Sequence, residues 1–111
     1  MNHPIDELFG ILVERGGSDL HLLEGQPPKI RRHGEVMPIR DEPLTHDEMV
    51  RLLQPICSPP AWRKFLEIGD LDFAYEMDEA NRFRCNFYKQ LHGLGAVFRI
   101  IHTKIKTLQE L

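Results

Sequence analysis

Ile5, Leu8, Phe9 and Leu12 repeat at the i, i+3, i+4, i+7 spacing of one helix face, with Pro4 suited to the first turn and Gly16-Gly17 to the stop. The spacing predicts a helix that covers one side of a sheet. From Ser18 to Leu23 the period drops to two, with Leu20 and Leu22 on one face and Asp19 and His21 on the other, as in a half-buried strand. Gln26-Pro27-Pro28 is a stiff extended entry to the next pairing. Lys29 to Arg32 and Glu35 to Ile39 then read as a hairpin across His33-Gly34, and Pro38 places the second strand at an edge or its end. Thr45 with Glu48 is a capping box, opening a helix whose apolar stripe is Met49, Leu52, Leu53 and Ile56. Ser58 before Pro59 starts a third helix, predicted to bury Trp62, Phe65 and Leu66 and to stop at Gly69. The cleanest alternation follows, with Leu71, Phe73, Tyr75 and Met77 inward and Asp70, Asp72 and Glu76 outward.

After a turn at Asp78 to Asn81, Arg82 to Ile101 reads RFRCNFYKQLHGLGAVFRII, two strands joined by a two-residue turn at His92-Gly93. Around such a turn, Phe83, Cys85 and Phe87 share an apolar face with Ala96, Phe98 and Ile100. The opposite face carries Arg82, Arg84, Asn86 and Tyr88 beside Val97, Arg99 and Ile101. Two arginines opposed across strands repel by up to about 1 kcal/mol unless an anion lies between them. Arg84 and Arg99 therefore admit two readings: exposed arginines in surface ion pairs of little weight, or a shared seat for a phosphate or carboxylate. Alternation puts Arg82 on the same face, while Arg31 and Arg32 point to opposite faces of their strand, so at most one can join. The element order is α-β-β-β-α-α-β-β-β: an α+β domain with a roughly six-stranded, mostly antiparallel sheet and flanking helices.

At 111 residues and 41% apolar content the chain supports one core. No apolar run approaches the roughly 20 residues of a membrane span, and the N-terminus lacks the order of a signal peptide, so a cytosolic protein without direct membrane insertion is expected. A net charge of −3 and a pI near 6.0 argue against nucleic-acid binding. Cys57 and Cys85 lie in apolar surroundings without Cys-x-x-Cys spacing and read as buried, reduced thiols. His3, His21, His33, His46, His92 and His102 show no i, i+4 pair and no Cys/His cluster, so no metal site is expected. Asp70, Asp72 and Glu76 project together, but a solvated strand face explains them more simply than acid-base chemistry, since no pocket sets one apart. There is no Gly-x-x-x-x-Gly-Lys-Ser/Thr loop, so no catalytic residue is assigned within this segment alone. Thr107 and Glu110 form a second capping box with Leu108 and Leu111 beginning an apolar stripe, a helix announced where the sequence stops. A segment of a longer protein is the expectation.

Four stretches together resemble one family: GGSDLHL at Gly16 to Leu22, PPKIRRHG at Pro27 to Gly34, RFRCNFYKQ at Arg82 to Gln90 and GAVFRII at Gly95 to Ile101. Their order and spacing are similar to the N-terminal domain of the PilT-like twitching motility ATPases, within the type II/IV secretion ATPase superfamily. The resemblance implies a PAS-like domain over residues 1–106, with 107–111 leading to a RecA-like motor domain that carries the P-loop, in a homohexameric ring. It implies ATP and Mg in the parent protein and none bound by the segment. It also implies docking on the motor domains of the same and neighbouring subunits, and a partner in the pilus platform protein at the cytoplasmic face of the inner membrane. In that family arginines of this domain contact the nucleotide phosphates, and the matching positions are Arg84 and Arg99, with Arg82 and Arg31 as secondary candidates. The alternatives are a PAS-like ligand sensor, or a purely docking module of a secretion or pilus-extension ATPase.

Overall fold

A computed structural model describes residues 3–102. Nine elements carry the fold: α1 (Asp6–Glu14), β1 (Asp19–Leu23), β2 (Lys29–Arg32), β3 (Glu35–Pro38), α2 (His46–Leu53), α3 (Pro59–Ile68), β4 (Asp70–Glu76), β5 (Asn81–Gln90) and β6 (Gly93–His102). A short 3-10 turn, Gln54–Ile56, joins α2 to α3. The strands form one antiparallel sheet in the order β3-β2-β1-β6-β5-β4. The predicted α+β architecture and element order are thus observed, and the second capping box at Thr107 lies outside the described residues.

Alternation decides which face is covered. Leu20 and Leu22 of β1, Ile30 of β2, Phe83, Cys85 and Phe87 of β5, and Ala96 and Phe98 of β6 join one core with Phe9 and Leu12 of α1, Met49 and Leu52 of α2, and Trp62 and Phe65 of α3. Phe9 stacks on Phe83 with ring centroids 4.0 Å apart, and Phe87 meets Trp62, Phe65, Phe73 and Phe98 edge-on. Such pairings add roughly 0.5–1.5 kcal/mol each beyond the area they bury. Burial pushes the Cys85 thiol up to about 12 and raises Cys57 as well, so both free cysteines stay protonated and inert near neutrality. Tyr75 ties α1 to the sheet, its hydroxyl donating to Asp6 Oδ1 at 2.7 Å. No helix among the described residues is long and apolar enough to cross a membrane.

Three local expectations are corrected. The Thr45 hydroxyl accepts the Glu48 N–H at 3.1 Å, but the reciprocal half of the capping box does not form. Glu48 instead accepts both Arg40 amines, at 2.9 and 2.7 Å, a charge-assisted fork that holds its carboxyl below the usual range. Leu66 is 42% exposed rather than buried; α3 lies beside the edge strand β4 and turns Trp62 and Phe65 inward onto Phe87 of β5, which leaves Leu66 on its outer side.

The β5–β6 turn is Leu91-His92, not His92-Gly93, because Gln90 pairs with Gly93. Gly93 is needed elsewhere: at φ +136° it gives room to the Glu24 carboxylate, which a Cβ there would strike, and which accepts the Leu94 N–H at 3.0 Å. The register moves by two residues, so every side chain keeps its face.

Candidate functional site

The face of the sheet opposite the helices carries the charged residues, and the antiparallel register lines them up. Asp19 pairs with Arg31 on one side and Arg99 on the other, and Arg99 pairs with Arg84. One row therefore crosses β2, β1, β6 and β5 as Arg31, Asp19, Arg99, Arg84. Three guanidiniums against one carboxylate leave it net positive. Arg82 lies one step along β5 toward the strand start, opposite Glu76 and Ile101. Arg32 points to the other side of its strand, so Arg31 alone of that pair joins the row.

The row has a buried centre and exposed ends. Asp19 is the one charged residue among those described that is buried, at 3% exposure. Central strands flank it on both sides, so its carboxylate must find a counter-charge in place. Arg99 supplies it: Nε donates to Oδ1 at 3.1 Å and Nη2 to Oδ2 at 3.3 Å. Arg31 Nε stands 3.9 Å from Oδ2 and His21 Nε2 4.0 Å from the same oxygen. That imidazole nitrogen is shut off from solvent and has no hydrogen-bond partner among the described residues. Burial lowers the His21 pKa; Asp19 acts to raise it, and Arg31, Lys29 and Arg99 lower it further. At neutral pH the ring is uncharged.

Arg84 differs from Arg99 in having no hydrogen bond or ion pair among the described residues. Its side chain lines a shallow open cavity of about 250 Å³ with Asp72, Cys85, Asn86, Val97 and Arg99. A second hollow continues past Ala74 and Ile101. Asn86 Nδ2 reaches Asp70 and Asp72, each at 3.3 Å, which ties the acidic edge strand together as a solvated face. Further along, the Tyr88 ring lies against Gly95, where a Cβ would collide with it. Among the described residues no three His, Cys, Asp or Glu side chains converge as a metal site. What the row can do chemically is receive an anion: Arg84 is free to bind one, and Arg99 can share it by turning from Asp19.

The pairing of Arg84 with Arg99 on one face follows the sequence expectation. The role of Asp19 does not. Alternation gave its face, but only the strand order shows that arginines flank it on both sides, and sequence alone did not reveal which strands neighbour β1.

No family model matches the chain. Similar proteins do. The type IV pilus retraction ATPase PilT of Pseudomonas aeruginosa is 40% identical over 107 residues, 96% of this chain and 31% of that protein. The type IV pilus ATPase PilU of the same organism is 34% identical over 106 residues, 96% of this chain and 28% of that one. A crystal structure of the pilus retraction motor PilT with bound ADP superposes with a TM-score of 0.81 at 27% identity, over 100% of this chain and 32% of that one. The ATPase DotB of Legionella pneumophila shares the fold, with a TM-score of 0.81 at 22% identity over 98% of this chain and 32% of its own.

Fold and sequence together match a domain found in pilus motor ATPases. The chain belongs to the PilT-like family, in which it is the N-terminal domain. It spans about a third of the length of the curated relatives it matches.

Proposed function

We propose that this domain acts within a longer, hexameric ATPase that retracts type IV pili, where its open sheet face meets nucleotide held by a RecA-like motor domain. Arg84 and Arg99 contact the phosphates of ATP, whose Mg ion the motor domain holds. Arg82 and Arg31 are secondary contacts. The reading rests above all on one observation: two arginines stand side by side on a sheet face that is uncovered among the described residues, one of them unpaired there, in a segment without a P-loop. The relatives' names as pilus ATPases, and the ADP in one solved relative, point to the anion that fits.

The chemistry is that of phosphoryl transfer. Negative charge spreads over the transferring oxygens, and a guanidinium brought to them accelerates the reaction by roughly 10³–10⁵. If the contact forms only when domains close, nucleotide state biases the rotation of this domain against the motor, and rotation passes to the ring through docking on neighbouring subunits. The protein would work at the cytoplasmic face of the inner membrane, against the pilus platform protein. In the full-length protein, Arg84→Ala and Arg99→Ala should keep ATP binding and lose most turnover. Full turnover in both variants excludes the reading.

The ion pair of Arg99 with Asp19 favours a second reading for that residue, in which it only shapes a docking surface. Arg99→Ala then weakens subunit assembly and leaves turnover per assembled ring unchanged.

A further inference from the structure

Arg99 cannot leave its resting place without consequence. It contributes the only two hydrogen bonds that Asp19 receives from side chains among the described residues. Asp19 itself is 3% exposed. A carboxylate buried to that degree and stripped of its partner is strongly disfavoured. Any movement of Arg99 toward an anion therefore needs a replacement counter-charge, and the surroundings of Asp19 contain two candidates.

Arg31 is one, with Nε 3.9 Å from Oδ2 and its side chain 42% exposed. His21 is the other. Its Nε2 lies 4.0 Å from Oδ2, about an ångström beyond hydrogen-bond distance. That nitrogen is also the one buried side-chain nitrogen or oxygen among the described residues that lacks a partner. An orphaned polar atom beside a buried carboxylate is a vacancy for a proton. The charged groups facing it are few: Asp19 from its own strand, Lys29 and Arg31 from β2, and Arg99 from β6.

We propose that Asp19 and His21 are positioning residues that exchange counter-ions, with Asp19 latching Arg99 at rest and passing to a protonated His21 when Arg99 turns to bind an anion. The proposal rests on the reading of Arg99 as a phosphate contact. Departure of Arg99 removes a nearby positive charge and uncovers Asp19, and both changes favour the imidazolium. Anion engagement then takes up a proton from solvent, which resides on Nε2 and donates to Asp19 Oδ2. In the resting arrangement burial keeps the ring neutral, so uptake occurs around neutral pH. The linkage also makes engagement stronger as pH falls.

The test is titration calorimetry of the full-length protein with Mg and a non-hydrolysable ATP analogue, near pH 7, in buffers of different ionisation enthalpy. Wild type should take up about 1 proton per engaged site more than His21→Gln, which keeps the size and polarity of the ring but holds no charge. Asp19→Asn, which needs no counter-ion, should lose the uptake too. Equal proton counts in wild type and His21→Gln overturn the proposal and assign the exchange to Arg31. The Arg99→Ala variant separates the two layers. Wild-type turnover in that variant removes the reading of Arg99 as a phosphate contact, whereas a collapse of turnover with no proton difference at His21 removes only the counter-ion exchange.

Discussion

Arg84 and Arg99 are cross-strand partners, yet among the described residues a carboxylate reaches only Arg99. The asymmetry separates stability from function. Arg84→Ala removes an exposed like charge and should change unfolding free energy by no more than about 0.5 kcal/mol. Arg99→Ala leaves Asp19 buried with Arg31 at 3.9 Å as its nearest guanidinium, and should lower the urea midpoint distinctly more than Arg84→Ala does. A reversed ranking in denaturant titration contradicts the assigned pairing.

Three glycines differ in what a methyl group would meet. At Gly95 a Cβ runs into the Tyr88 ring, and at Gly93 into the Glu24 carboxylate at a φ of +136°. Alanine at either should cost about 1–3 kcal/mol through displaced neighbours or backbone strain. Gly10 lies within α1 and faces open space, so Gly10→Ala should stabilise by about 0.5–1 kcal/mol. Thermal melts of the three variants check the contrast.

Much of this fold was legible because period and punctuation agree. Asp70 to Met77 alternates without interruption, and Gly69 at φ +87° ends α3 where the sequence expects it. The hairpin across His33-Gly34 and the edge position of β3, signalled by Pro38, follow the same logic. What failed was tertiary. Leu66 obeys helical spacing, but coverage depends on the width of the sheet beneath it. The turn moved to Leu91-His92 because Glu24, distant in sequence, claims the space at Gly93. The site shows the same division. The shared face of Arg84 and Arg99 is a matter of parity within one hairpin, whereas Asp19 as the counter-charge of Arg99 requires knowing that β1 sits between β2 and β6.

His21 should also leave a mark on stability against pH. Its folded pKa is lowered, chiefly by burial, so the unfolded chain binds the proton more readily. The stabilisation is complete above the unfolded value of about 6.5 and is lost as pH falls below it toward the folded value. In His21→Gln the decline in stability from pH 7 to pH 5 should be shallower than in wild type, measured by urea unfolding at each pH. Parallel curves contradict a neutral ring with a shielded Nε2.

The most direct measurement is steady-state ATP hydrolysis by full-length Arg84→Ala beside its ATP affinity, since this side chain makes no hydrogen bond or ion pair among the described residues. The expected result is unchanged affinity and assembly with turnover reduced on the order of 10³-fold. Turnover within a factor of about two of wild type, set against that expectation, would contradict a phosphate role for the open sheet face.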